Sequence, residues 1–131
     1  MKEIKPKPKP KPKPKPKPKP KPKPKHIRFY QTKSGKIPYK EWFDGLKDSK
    51  VRHRIRARLD RVELGNLGDY KVLSDGVSEL RFAFGSGYRI YFTEQDDYFI
   101  ILLCGGDKSS QEKDIDTAKQ YWNDLQERRD E

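Results

Sequence analysis

The chain has one cysteine, Cys104, and two histidines, His26 and His53, in 131 residues. A single thiol excludes an internal disulfide and fits a reducing compartment. The two histidines lie far apart and lack ligand spacing with Cys104, so no metal site is expected and no cofactor is called for. No apolar run approaches the ~18 residues that a membrane span needs. The N-terminus is basic but lacks the apolar segment of a signal peptide. These absences predict a soluble, cytoplasmic protein with no membrane partner. No Ser-His-Asp arrangement is evident, and "GGDK" at 105–108 lacks the flanking spacing of a P-loop.

Positive charge is plentiful but confined. The first 25 residues carry twelve lysines and one glutamate, which is the whole formal excess of +11. The remaining 106 residues hold nineteen basic and nineteen acidic side chains, so the body is neutral. The shift places a boundary between a Lys-Pro repeat tail, 1–25, and a domain, 26–131. Proline at every second position fixes φ and removes backbone donors, so the repeat is expected to be disordered. In polyproline II geometry it would reach roughly 60 Å. Its period of two excludes a P-x-x-P ligand. Two readings stand: an arm that attracts nucleic acid or ribosome nonspecifically, or a low-complexity repeat with no dedicated role.

The body reads as one α+β domain. "IRFYQ" at 27–31 alternates like a strand. Pro38 opens a helix with Tyr39, Trp42, Phe43 and Leu46 on one stripe. "DS" at 48–49 caps a second helix, with Val51, Ile55, Leu59 and Val62 inward and Gly65 as its stop. A short strand is expected at 70–73, then a hairpin at 78–84 and 88–94. "YFIILLC" at 98–104 reads as a strand buried on both faces. Ser109 with Glu112 fits a capping box before a last helix lined by Ile115, Ala118, Trp122 and Leu125. The expected architecture is a compact antiparallel sheet of about four strands, two N-terminal helices and one C-terminal helix.

The hairpin carries two arginines, Arg81 and Arg89. A three-residue "GSG" loop, with Gly87 left-handed, pairs Phe84 with Tyr88 and Arg81 with Tyr91. Leu80, Phe82, Phe84, Tyr88, Ile90 and Phe92 then share one surface, and Arg81, Ala83, Arg89 and Tyr91 the other. A loop of even length would force Arg89 among the aromatics at a heavy desolvation penalty. On this register the arginines sit diagonally, roughly 7–8 Å apart. They form either a phosphate clamp, since the guanidinium fork matches phosphate oxygens, or ordinary ion pairs with Glu79, Asp107 or Glu94. The second helix is equally open. Arg54, Arg58 and Arg61 form a stripe suited to a nucleic-acid backbone, or a solvated face with Arg56–Asp60 as an i,i+4 pair. Cys104 is expected to be a small buried hydrophobe.

Four stretches, "PYKEWFDGLKD", "RLDRVELGNLGDYKVL", "GVSELRFAFGSGYRIYF" and "ILLCGGDKSSQEKDIDTAKQYW", resemble in order the RelE/ParE superfamily of toxins, in its HigB-like addiction module killer branch. The resemblance covers 27–127 and implies a microbial-ribonuclease-like sheet with helices. It also implies an mRNA endonuclease that acts on the translating ribosome and is silenced by an antitoxin, in this branch commonly a HigA-like helix-turn-helix protein. Related branches bind gyrase without catalysis, and a degenerate RNA-binding module is a further alternative. By this resemblance Arg89 and Arg81 stabilise phosphate and Lys108 assists. The helical stripe of Arg54, Arg58 and Arg61, together with Gln111 and Tyr91, is expected to contact the RNA. RNA supplies its own 2′-hydroxyl nucleophile. The tyrosine or histidine that several relatives carry near the C-terminus for proton transfer has no counterpart here, because Tyr121 sits too deep in the last helix.

Overall fold

The continuous apolar run forms the centre of the sheet. The computed structural model describes residues 23–129, and the reading of the tail falls almost wholly outside them. Strand β5, Phe99–Gly106, is flanked by β4, Arg89–Gln95, and by the edge strand β1, His26–Phe29. Strands β3, Ser78–Arg81, and β2, Tyr70–Val72, complete a five-stranded sheet in the order β1-β5-β4-β3-β2. All neighbours are antiparallel except β1 and β5, which run parallel. The architecture is the expected α+β, with two helices before the hairpin and one at the C-terminal end, and its sheet has five strands, of which β1 alone runs parallel to its neighbour. Alternation at 27–31 marks a strand but not its direction, and the two helices that follow carry the chain around the sheet.

Those helices are α1, Pro38–Asp44, and α2, Ser49–Glu63. Pro38 occupies the first turn of α1, where its missing N–H has no intrahelical partner to lose. Asp48 caps α2 by accepting from the Lys50 backbone N–H at 2.9 Å, the cap read from "DS". Gly65, at φ 94°, ends the helix in left-handed geometry. The third helix, α3, spans Gln111–Arg129 after a 3₁₀ turn at Lys108–Ser110. Its entry differs from expectation: the capping box joins Asp107 and Ser110, not Ser109 and Glu112. No helix among the described residues is long and apolar enough to cross a membrane.

The sheet is buried on both faces. One core packs Tyr39, Phe43, Ile55, Leu59 and Val62 of α1 and α2 against Leu80, Ile90, Phe92 and Leu102. The other packs α3, through Ala118, Ile115, Trp122 and Leu125, against Tyr91, Ile101, Leu103 and Cys104. The face that carries Arg81 and Arg89 is thus a helix-covered face and not an open one. A register shift between Tyr91 and Phe92 sets Cys104 opposite Tyr91 and Leu102 opposite Phe92. Such a bulge re-aims the strand that carries it, and here it leaves Gly106 opposite Arg89.

Arg58 ties α2 to the sheet. It donates to the carbonyls of Leu67, Asp69 and Arg81 at 2.7–3.1 Å and lies over the Phe82 ring at 5.0 Å. Gly68, at φ 71°, is required here, since a β-carbon would come within 2.9 Å of the guanidinium. Arg58→Ala leaves three carbonyls without their donor and should cost about 2–3 kcal/mol, given ~1.5–3 kcal/mol per charged hydrogen bond and partial rescue by water. Urea unfolding checks this; a loss below about 0.5 kcal/mol would show that the carbonyls are satisfied without it.

Candidate functional site

The hairpin's register decides where its arginines meet. Strand β3 pairs with β4 through Glu79↔Tyr91, Leu80↔Ile90 and Arg81↔Arg89. Phe82 N–H donates to the Tyr88 carbonyl at 3.0 Å, closing a loop of residues 83–87. The loop is longer than "GSG", and both Gly85 and Gly87 take positive φ. Its length remains odd, so both arginines still share a face. They are direct cross-strand partners, not diagonal ones, and Tyr91 faces Glu79 instead of Arg81.

Two guanidiniums directly opposed would repel. Glu79 removes that repulsion. Its carboxylate is fully buried, and one oxygen, Oε1, accepts from Arg81 Nε and from Arg89 Nη1, each at 3.1 Å. The other oxygen, Oε2, accepts from Gln111 Nε2 at 3.0 Å, reaching in from the start of α3. Two cations share one anion, so the cluster keeps one net positive charge. Arg81 is the more open partner, with 36% of its side chain exposed against 14% for Arg89. Arg89 Nε is buried without a hydrogen-bond partner.

Burial alone would raise the Glu79 pKa. The hydrogen bonds from Gln111 and Arg81 and the charge of Arg89 outweigh burial and hold it below the usual carboxylate value. The sign for stability follows. A depressed folded-state pKa stabilises the fold above the unfolded value of ~4.3, and this contribution is lost as pH falls through the folded pKa. Acid unfolding of Glu79→Gln should therefore be shallower than that of the parent chain below about pH 4. Equal slopes in both chains would mean that Glu79 takes no part.

Tyr91 is fully buried, and its hydroxyl lies against Glu79 outside hydrogen-bonding geometry. Burial first, and the Glu79 charge second, push its pKa well above the ordinary tyrosine value. It presents no surface group. Gln111 is committed to Glu79. Cys104 is buried, and burial raises its thiol to about 12, as suits a packed hydrophobe.

Across the next strand the row continues. Gly106 faces Arg89, and a β-carbon there would overlap the Asp114 carboxylate, so α3 can start close against the sheet. Lys108 follows two residues later, exposed, with its N–H on the Ser86 carbonyl of the hairpin loop at 3.3 Å. Asp107 is drawn below its usual pKa, chiefly by the Ser109 hydroxyl, and fixes this turn. Strands β3, β4 and β5 thus set Arg81, Arg89 and the Lys108 turn side by side at one end of the sheet. The arginine stripe of α2 divides. Arg58 is spent on backbone carbonyls, while Arg54 and Arg61 are exposed and flank a groove of about 240 Å³ with Phe82 and Phe84. Arg54 lies over Phe84 at 4.4 Å. Arg56 lies over Phe43 at 4.9 Å instead of pairing with Asp60.

Sequence reasoning counted Glu79 only as one possible partner and missed it as the organiser. Its signal was present: Glu79 and Arg81 alternate onto one face, beside Tyr91.

Two comparisons with known proteins bear on this site. Residues 41–123 match the family described as phage derived protein Gp49-like (DUF891), a span that includes α2, the hairpin, β5 and most of α3. An uncharacterized protein of Haemophilus influenzae is 46% identical over 83 residues, covering 63% of this chain and 84% of that protein. Glu79, Arg81, Arg89, Lys108 and Gln111 all fall inside the matched span. The chain belongs to the phage-derived Gp49-like family, a toxin-like family related to the RelE and addiction module killer proteins.

Proposed function

We propose that the chain is the toxin of a type II toxin–antitoxin pair and cleaves mRNA on the translating ribosome in the cytoplasm. One observation carries this reading: two guanidiniums locked to a single buried carboxylate at the end of the sheet, with one positive charge left over. RNA supplies the 2′-hydroxyl that attacks the neighbouring phosphorus as the P–O5′ bond breaks. The protein's task is then to hold the phosphate and to stabilise its added negative charge. Arg81 offers its outer guanidinium edge, and the exposed 14% of the Arg89 side chain lies directly across from it, where a phosphate oxygen would bridge the two. Lys108, exposed in the turn after β5, would assist at the leaving oxygen. Arg54 and Arg61 would dock on ribosomal RNA, and a HigA-like antitoxin would cover the site.

A specific observation favours a second reading, a toxin or RNA-binding module that does not cut. Tyr91 is fully buried and the Glu79 carboxylate is held by Arg81, Arg89 and Gln111, so neither is free to take the 2′-hydroxyl proton. Inducing the chain without its partner and mapping mRNA 5′ ends in translating and non-translating extracts separates the two. Cuts that appear only with ribosomes, and vanish in Arg89→Ala, support cleavage. Intact mRNA with arrested growth supports the second reading, and a DNA-damage response would mark it as gyrase-directed.

A further inference from the structure

We propose that His26, Arg28, Tyr98 and Phe99 form a stacking platform for single-stranded nucleic acid, separate from the arginine pair. Backbone pairing builds it. His26 is the parallel partner of Phe99, and its N–H donates to the Tyr98 carbonyl at 2.9 Å. The rings therefore meet: His26 lies 4.7 Å from Tyr98, and Tyr98 lies 5.1 Å from Phe99. His26 Nε2 and Tyr98 Oη are 3.0 Å apart, which fixes the two rings together. The Arg28 guanidinium lies over Phe99 at 4.0 Å. These groups line an open concavity of about 330 Å³.

Among the described residues these rings pack only on one another and on Arg28. Tyr98 is 49% exposed, and none of the four belongs to the buried part of either core. Exposed aromatic faces beside a guanidinium are what a nucleic-acid base stacks on, at ~1–3 kcal/mol per base and with little regard to sequence. Positive charge at the platform comes from Arg28 and from Lys25. Lys25 donates from Nζ to the Asp97 carbonyl at 2.5 Å, beside Tyr98. Asp96 and Asp97 are exposed at the adjoining turn and would repel phosphates from that side. The platform lies at the far end of β4 from Arg89, about 20 Å away at ~3.3 Å per residue, so one strand could engage both.

The test is fluorescence anisotropy of the full chain with labelled oligouridylate and oligothymidylate of about 12 nucleotides, within known site sizes, without ribosomes. Tyr98→Ala should weaken both by about tenfold, the effect of ~1.4 kcal/mol of lost stacking, and Tyr98→Phe should restore them. Raising salt should weaken parent and variant with the same slope, because no basic residue is changed. Equal affinity of parent and Tyr98→Ala for both oligonucleotides would overturn the proposal, as would a duplex of the same length losing as much as the single strands. Tyr98 is exposed, so thermal unfolding should be unchanged. Absence of cleavage in extracts would leave this binding result intact, and the reverse also holds.

Discussion

Glu79→Ala should lower the unfolding free energy by about 3 kcal/mol, the low end of the ~3–5 kcal/mol seen when one partner of a buried ion pair is removed. The carboxylate is fully buried and serves three donors, Arg81, Arg89 and Gln111. Without it Arg89 remains largely buried with no counter-ion, directly across from another guanidinium. Arg81 is open enough to turn into water, which keeps the loss near the low end. Glu79→Gln should fall between, because it keeps the volume and one acceptor but not the charge. Urea unfolding with an unchanged m-value is the check. A loss under about 1 kcal/mol for the alanine variant would mean that the two arginines do not depend on this carboxylate.

Arg89→Ala should reduce ribosome-dependent cutting by about 10²–10³-fold, the range for removing one preorganised donor from a developing negative charge. It should cost little stability, since Glu79 keeps Arg81 and Gln111 as partners. Arg89→Lys should recover only part of the rate, because an ammonium supplies charge without the planar fork. Arg81→Ala should act in the same direction and more weakly, because the more exposed side chain is the less preorganised. These rates are to be compared at a temperature where circular dichroism shows every variant folded. Undiminished cutting by Arg89→Ala would remove the arginine pair from the chemistry.

Parts of this molecule were legible from local pattern. The apolar run of β5 required burial on both faces, the Asp48 cap needed only its neighbours, and an odd hairpin loop was the one way to keep Arg89 out of the aromatic face. The failures share one cause, which is dependence on distant chain. Parallel pairing of β1 with β5 depends on where two intervening helices lead the chain. The surroundings of Glu79 depend on Gln111, 32 residues away, and on α3 covering that face. Ile115, Ala118, Trp122 and Leu125 needed an apolar sheet face, and α1 and α2 already occupied the other one. The arginine face had to be covered, and a covered pair of cations calls for a buried anion. Arg58 shows the same limit, because its helical spacing matches Arg54 and Arg61 while its carbonyl partners come from a loop and from β3.

The most direct measurement is an NMR titration of the Glu79 side-chain carboxyl in the folded chain. A carboxylate gripped by two guanidiniums and an amide should titrate below the ordinary glutamate value of ~4.3, and Arg81→Ala should move its midpoint upward. A midpoint at or above that value, insensitive to Arg81→Ala, would mean that no ionised carboxylate joins the two arginines, and the site described here would not exist.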